Sequence, residues 1–310
     1  YNGGSWNYMD YGYNPANNQL LNYGPETSPN AVQFHYDARG NTTQRITSGI
    51  GTTNYHYNNN DQMDQITYPN TNINTFGYGM DGLRSQKVDS LGTANYLYEG
   101  MSLICEKPSD TIYTEGLLGL TSMVYNGTTY WYLLDRQGSV VEVVDSSTSP
   151  APAAVKSYEY DAWGNTTVLT DTAPEVPNPY QYLGGLGYYT DPDSGLLQVG
   201  FRQYDPSIGR WLTEDPIGVE GGLNLYAYVD DDPLNSTDPV GLKKKAGNPQ
   251  VPSYWQEMKE IARDIFIGYN SKEGKKAWLR HPFNAVAHPV DTIRGEALDA
   301  DFLVDFLAGS

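Results

Sequence analysis

The stretch FHYDARGNTTQRI, residues 34–46, describes a local structure that recurs along the chain. It reads as an aromatic residue, any residue and Tyr, followed by a polar run with Gly and Asn and then by alternating polar and apolar residues. Alternation with a period of two is typical of β-strands, and a Gly/Asn-containing run between two such segments is typical of a hairpin turn. We therefore predict a β-hairpin here.

The same unit returns at nearly constant spacing of 21, 21 and 20 residues. The second aromatic residue of successive copies is Tyr36, Tyr57, Tyr78 and Tyr98. A close copy, YEYDAWGNTTVL, begins at Tyr158, and a looser one begins at Tyr11. One hairpin cannot bury a face by itself, so neighbouring hairpins must pair into one continuous sheet with the tyrosines at equivalent places. We interpret these tyrosines as structural.

The bulk composition indicates a β-rich globular protein of one or two domains. The chain has 310 residues, 13% of them aromatic, and a single cysteine, Cys105, which cannot form an internal disulfide. No run of about 18 apolar residues predicts a membrane span. Residue 1 is not Met and no signal peptide is visible, so we expect the chain to be part of a longer protein. No cofactor motif stands out.

Charge divides the chain at Leu242. Residues 243–310 contain ten Lys/Arg and nine Asp/Glu, so residues 1–242 carry about −19 against −18 for the whole chain. An acidic surface argues against nucleic-acid or anionic-membrane binding by residues 1–242. The boundary falls within TDPVGLKKKAG, residues 237–247, in which an Asp-Pro turn is followed by three lysines.

The Tyr-Asp-x-x-Gly-Asn units resemble the YD repeats of Rhs proteins, tripartite-toxin cocoon subunits, wall-associated proteins and teneurins. WYLLDRQGSVVEVVD, residues 131–145, resembles the strand pair before the Rhs core, and residues 180–242 resemble the Rhs repeat-associated core domain almost throughout. The resemblance implies a mainly β fold, in which an antiparallel sheet of hairpins spirals into a shell around the C-terminal part. It also implies three domains: a shell at 1–179, the core domain at 180–242 and a variable segment at 243–310.

Shells of this family are usually far longer than 242 residues. Two alternatives therefore remain open from the sequence. Either upstream repeats are missing from this chain, or the sheet is open and curved.

Two aspartates are candidates for self-cleavage between Leu242 and Lys243. The resemblance assigns this chemistry to the aspartates of EDPIG and TDPVG, which are Asp215 and Asp238 here. Two close carboxylates cannot both ionise cheaply, so one would keep a proton and the other would activate water, as in an aspartic protease. Arg210 is our first choice to orient a carboxylate, with Arg202 as the alternative.

A structural role for these aspartates is the competing interpretation. Asp before Pro is common in type I turns because its side chain caps the turn. We interpret Asp205, in a third Asp-Pro pair, as a turn residue only.

The tail, residues 243–310, is predicted to be helical. Ser253 and Gln256 form a capping box, and apolar residues from Trp255 to Phe266 recur at helical spacing. A second amphipathic segment covers about residues 296–307. Two histidines and an aspartate between these segments match no metal-site spacing, so we predict loop residues rather than a metal site at His281, His288 and Asp291.

The leading functional hypothesis is the C-terminal region of a bacterial Rhs-type toxin, secreted or at the cell surface, with a self-cleaving core domain and a helical cargo. Its expected partners are upstream repeats or an N-terminal delivery region of the same protein, and an immunity protein for the tail. The alternative is a non-catalytic adhesion or wall-associated scaffold. The activity of the tail does not follow from its sequence.

Overall fold

The computed structural model describes residues 9–25, 27–28, 30–116, 119–148, 151–242 and 244–246. The two helices predicted in the tail lie outside the described residues, as do Lys243, His281, His288 and Asp291. Within the described residues, helical structure is confined to three short turns, at Gly184–Leu186, Gly218–Glu220 and Val229–Asp231. None of these is long and apolar enough to cross a membrane.

Sixteen strands form one antiparallel sheet in which every strand pairs with its neighbours in sequence. The strands are β1 (Met9–Tyr13), β2 (Leu20–Pro25), β3 (Val32–Tyr36), β4 (Thr42–Thr47), β5 (Gly51–Tyr57), β6 (Met63–Thr67), β7 (Ile73–Tyr78), β8 (Arg84–Asp89), β9 (Gly92–Glu99), β10 (Ser102–Lys107), β11 (Thr111–Gly116), β12 (Gly119–Tyr125), β13 (Thr128–Leu134), β14 (Val140–Asp145), β15 (Ala153–Tyr160) and β16 (Thr166–Asp171). The predicted series of hairpins in a mainly β fold is confirmed. Among the described residues the sheet is open, because β1 and β16 are its two edges.

The YD motif is a five-residue turn held by its aspartate. The Asp37 carboxylate accepts hydrogen bonds from the backbone N–H groups of Arg39, at 2.8 Å, and Asn41, at 2.9 Å, and from the Asn41 side chain at 3.0 Å. Gly40 has φ +83°, a conformation that glycine adopts without steric cost. Residues 161–165 repeat these bonds. The motif is therefore a turn signal, as the sequence predicts.

The repeated tyrosines occupy equivalent places. Tyr36, Tyr57 and Tyr78 each end the first strand of a hairpin, directly after a β-bulge. The Tyr36 hydroxyl donates to the carbonyl oxygen of Leu20 at 2.9 Å, and that of Tyr78 to the carbonyl oxygen of Met63 at 2.6 Å. Leu20 and Met63 begin the second strand of the preceding hairpin. Tyr36 and Tyr78 thus tie their hairpins to the one before, whereas the buried hydroxyl of Tyr57 has no hydrogen-bond partner among the described residues. All three end their strands after a bulge, which confirms the predicted equivalence of position.

A second unit, residues 173–242, covers one face of the sheet, and we call it the cap. It contains a small sheet of β17 (Tyr189–Thr190), β18 (Leu197–Val199), β19 (Arg202–Asp205) and β20 (Arg210–Trp211), and the strand β21 (Ser236–Thr237), which pairs with β22 (Lys245–Ala246). Cap residues Leu196 and Leu212 join sheet residues in one buried apolar cluster, which includes Tyr55, Met63, Ile66 and Phe76. The sheet and the cap therefore share a hydrophobic core.

Buried ion pairs also join the sheet to the cap. The ammonium group of Lys87, a residue only 4% exposed, lies 2.9 Å from the Asp191 carboxylate and 2.8 Å from that of Asp193. Arg45 lies 3.1 Å from Asp205, which is 2% exposed. Buried charges are tolerated when they are paired and hydrogen-bonded, so these contacts fix how the cap sits on the sheet.

We expect Lys87→Met to lower the free energy of unfolding by about 3–5 kcal/mol, because it removes the cation of Asp89 and the nearer of the two cations of the buried Asp191, which Arg84 approaches only to 4.0 Å. Lys107→Met is the matched control, since Lys107 pairs with Asp110 on the surface and should lose only about 0–1 kcal/mol. Urea unfolding of the two variants measures the contrast. Equal losses of unfolding free energy in the two variants would mean that the ion pairs of Lys87 do not anchor the cap.

Candidate functional site

Two Asp-Pro turns of the cap carry the candidate aspartates. In the turn that begins at Asp238, the N–H of Gly241 donates to the Asp238 carbonyl at 3.2 Å, and the N–H of Leu242 donates to Asp238 Oδ1 at 3.0 Å. In the other turn, the N–H of Ile217 donates to Asp215 Oδ1 at 3.0 Å. Each aspartate therefore caps its own turn, as turn chemistry predicts, and each keeps its second oxygen, Oδ2, for another partner.

The partner of both Oδ2 atoms is the guanidinium group of Arg202. Arg202 Nη2 lies 2.8 Å from Asp215 Oδ2 and 3.4 Å from Asp238 Oδ2, so a single nitrogen atom bridges the two carboxylates. Arg202 Nε donates to the carbonyl oxygen of Gly241, and the guanidinium lies over the Trp211 ring, 4.1 Å from its centroid. The planar, five-donor guanidinium group suits such multiple contacts.

Arg210, our first choice for orienting a carboxylate, lies elsewhere. Its Nη2 atom donates to the carbonyl oxygen of Asn18 at 2.7 Å, and its guanidinium lies near the rings of Tyr13 and Tyr226. The structure thus gives the position between the two aspartates to Arg202. The sequence offered both arginines near the turns, and only the fold shows that Arg202, on β19, contacts both aspartates.

Burial shapes the electrostatics of the pair. Desolvation, with a smaller contribution from the nearby charge of Asp238, raises the pKa of Asp215 to about 6, although Arg202 and the Ile217 N–H lower it. Burial lowers the pKa of Arg202 although both carboxylates raise it. An arginine pKa begins so high that the group stays charged. The site therefore holds one cation between two carboxylates, and Asp215 binds a proton on the acid side of neutrality.

Close backbone approaches shape the site, and sequence reasoning did not identify them. A Cβ at Gly221 would lie 2.5 Å from Asp215 Oδ2, and one at Gly200 would lie 2.3 Å from the Val240 carbonyl oxygen. Contacts this short exclude any side chain unless the backbone shifts. Gly221 belongs to a Gly-Gly pair and Gly200 lies in the short turn between β18 and β19, and glycine at such turns is the signal that could have identified them.

The scissile bond predicted by the resemblance follows directly on this site. Leu242 is held through its N–H by Asp238, and the preceding carbonyl, of Gly241, is held by Arg202. Asp205 instead caps its own turn through Ser207 and pairs with Arg45 of the sheet. It belongs to the contact between cap and sheet, in keeping with its interpretation as a turn residue.

Comparison with known proteins places the chain among YD-repeat proteins. Residues 109–234 match the Teneurin YD-shell family. The chain is 33% identical over 229 residues to the tRNA3(Ser)-specific nuclease WapA of Bacillus spizizenii, a match that covers 69% of this chain and 9% of the relative. It is 40% identical over 150 residues to the toxin subunit YenC2 of Yersinia entomophaga, which covers 47% of this chain and 14% of the relative. This chain therefore spans only a small part of these relatives.

A solved structure shows the same fold. The Photorhabdus luminescens Tc holotoxin pore matches with a TM-score of 0.57 at 20% identity, over 78% of this chain and 13% of that chain. The fold is therefore that of a YD-repeat shell related to toxins.

The raised pKa of Asp215 has a consequence for stability. The folded state holds this proton more tightly than an unfolded chain, in which the pKa of Asp is 3.8, so stabilisation by the proton is complete below about pH 4 and is lost as pH rises through about 6. We expect the free energy of unfolding of the wild type, relative to Asp215→Asn, to fall between about pH 4 and pH 7 and to be level above pH 7. Urea unfolding at each pH measures it, and a difference that rises with pH would contradict the assignment.

Proposed function

We propose that this chain, which belongs to the YD-repeat family of Rhs proteins, is the C-terminal region of a secreted bacterial toxin that cuts itself after Leu242. In this proposal residues 1–179 belong to the shell, residues 180–242 form the self-cleaving core domain, and residues 243–310 are the released segment. The observation that carries it is the pair Asp215 and Asp238, bridged by Arg202 and bonded to the residue before the predicted cut.

The two aspartates have different roles. Asp215, with its pKa raised to about 6, is the carboxyl that holds a proton. Asp238 accepts the N–H of Leu242 through Oδ1 and contacts Arg202 through Oδ2, both of which favour its ionised form. Arg202 is a positioning residue, since it holds both carboxylates and the Gly241 carbonyl in one arrangement.

The reaction is hydrolysis of the peptide bond between Leu242 and Lys243. The Asp238 carboxylate takes a proton from a water molecule as the water oxygen bonds to the carbonyl carbon of Leu242, and Asp215 gives its proton to the carbonyl oxygen. The C–N bond of the tetrahedral intermediate then breaks as the nitrogen of Lys243 takes up the proton held by Asp238, and one hydroxyl of the intermediate returns its proton to Asp215, which leaves the new carboxylic acid on Leu242. Because the bond lies four residues after Asp238 in the same chain, its effective concentration is high and one turnover suffices.

Retention of the tail inside a shell is the second part of the proposal. It draws on the fold shared with the Tc holotoxin pore and requires further hairpins, because the sheet described here is open. Upstream repeats of the same protein would supply them by pairing with β1. The relatives are named as a nuclease, a toxin subunit and, in Burkholderia cenocepacia, a double-stranded DNA deaminase toxin. A toxic tail would need an immunity protein as partner. The chemistry of the tail is left unassigned.

A non-catalytic scaffold is the alternative function. The tyrosine hydrogen bonds between hairpins and the buried ion pairs would stabilise an adhesion protein equally well. The two proposals differ in whether the chain remains intact.

Asp238→Asn and Asp215→Asn should each stop cleavage while the β-structure survives. The substitutions keep the size of the side chain and its ability to cap the turn, but remove the ionisable group. The double variant should be no slower than either single variant, because the residues act as a unit. The measurement is an intact-mass time course after the chain, purified in urea, is diluted into refolding buffer, with circular dichroism as the check on folding.

Asp205→Asn is the matched control, since Asp205 caps a third Asp-Pro turn of the same cap and pairs with Arg45 instead of Arg202. Once refolded, it should cut at the wild-type rate. Wild-type cleavage should slow as pH rises above about 6, where Asp215 loses its proton. Equal cleavage in all variants would refute the catalytic assignment, and an intact wild-type chain would support the scaffold.

A further inference from the structure

Three successive residues of the cap have the left-handed backbone conformation. Val229, Asp230 and Asp231 have φ of +46°, +55° and +62°, and none of them is glycine. Such residues are costly, above all a β-branched valine, and persist only where the surrounding structure holds them. Together with Asp232 they form a segment that we call the acidic turn, residues 229–232.

The core of the cap holds the acidic turn in place. Val229 is 3% exposed and belongs to the same buried cluster as Tyr204, Trp211 and Tyr228. The aspartate that follows it is exposed. The buried valine therefore fixes the backbone, and the left-handed conformation presents the Asp230 carboxylate at the surface of the cap.

The carboxylate of Asp230 meets the chain just beyond the predicted cut. Lys244 Nζ contacts Asp230 Oδ2, and both side chains are about half exposed. The next two residues, Lys245–Ala246, pair as a short antiparallel strand with Ser236–Thr237, which directly precedes Asp238. The acidic turn and β21 thus hold the first residues of the tail.

We propose that the acidic turn positions the C-terminal side of the scissile bond, with Asp230 as the residue that recognises the basic start of the tail. This inference rests on the proposed cleavage after Leu242. Asp238 and Arg202 hold the residues before the bond, whereas Asp230 and β21 hold the residues after it. A peptide bond fixed on both sides presents one carbonyl geometry to the aspartates, and loss of either anchor lowers the fraction of chains in that geometry.

The same contacts make a docking surface for the new chain end. Cleavage leaves an ammonium group on Lys243, next in sequence to Lys244, and so adds one positive charge to the start of the tail. The occupant of this surface is thus the start of the tail itself. Its attraction is electrostatic, so it weakens as salt rises.

The test compares two neighbouring aspartates. Asp230→Asn removes the carboxylate that meets Lys244, while Asp231→Asn changes the net charge equally at an adjacent exposed and left-handed position; asparagine tolerates that conformation. In low salt, refolding time courses should show Asp230→Asn cutting about threefold more slowly than wild type, as expected for an exposed ion pair. Asp231→Asn should match wild type, and the difference should vanish near 1 M salt.

Exchanging the charges of Asp230 and Lys244 distinguishes a positioning role of this ion pair from a general loss of structure. Lys244→Asp should slow cleavage more than Asp230→Asn, because two carboxylates then face each other. Adding Asp230→Lys to Lys244→Asp should restore most of the rate. Equal rates for Asp230→Asn and Asp231→Asn, or a double exchange no faster than Lys244→Asp alone, would overturn the inference.

Hydrogen exchange of the uncut chain gives a reading that does not depend on cleavage. In the Asp238→Asn background, amides of residues 244–246 should exchange faster with Asp230→Asn than with Asp231→Asn. If the wild type never cuts, the proposed function fails and exchange alone decides whether the acidic turn holds the tail. Equal exchange in both variants would overturn that contact as well.

Discussion

The structure depends on one constraint: a sheet built from hairpins has an apolar face that it cannot cover by itself. In the YD turns at Asp37 and Asp161 the aspartate bonds to the backbone of its own turn, and Tyr36 and Tyr78 bond to the hairpin before their own. These contacts are local, so the hairpins can repeat along the chain. The side chains that alternate onto the buried face still need a partner. The cap supplies it, with Leu196 and Leu212 packed among sheet residues. The position of every cap residue, and so of the candidate site, follows from that packing.

Buried charge is paired differently at two places in the described structure. Between sheet and cap, Lys87 meets Asp89, Asp191 and Asp193, and these pairs fix how the two units fit together. At the candidate site, one Arg202 meets two carboxylates, so the balance of charge is left negative. Desolvation, which Arg202 only partly offsets, raises the pKa of the Asp215 carboxyl. Structural ion pairs and the candidate pair of aspartates therefore share one small unit.

The candidate site is built from turns, and this accounts for both interpretations of its aspartates. Asp215 and Asp238 cap their turns through Oδ1, as any Asp before Pro can, and face Arg202 through Oδ2. Capping and chemistry are therefore not exclusive, and capping orients the second oxygen. The left-handed turn at Val229–Asp231 extends the same principle, because a strained backbone places a carboxylate where a relaxed strand could not.

The sequence by itself determined what is local. Alternation and turn chemistry predicted the hairpins and the equivalent positions of Tyr36, Tyr57 and Tyr78, while the boundary at Leu242, drawn from the charge count, stays a prediction. It also singled out Asp215 and Asp238, because the Asp-Pro turns and the family motif lie within a few residues of each. It missed the hairpin of β11 and β12, which no tyrosine unit marks. Only the tertiary structure decided which arginine joins the two aspartates, since Arg202 and Asp238 are 36 residues apart and meet where the Asp238 turn lies against the turn before β19. The raised pKa of Asp215 and the contact between Lys87 and the cap were decided in the same way, because burial and ion pairing depend on what the fold brings together.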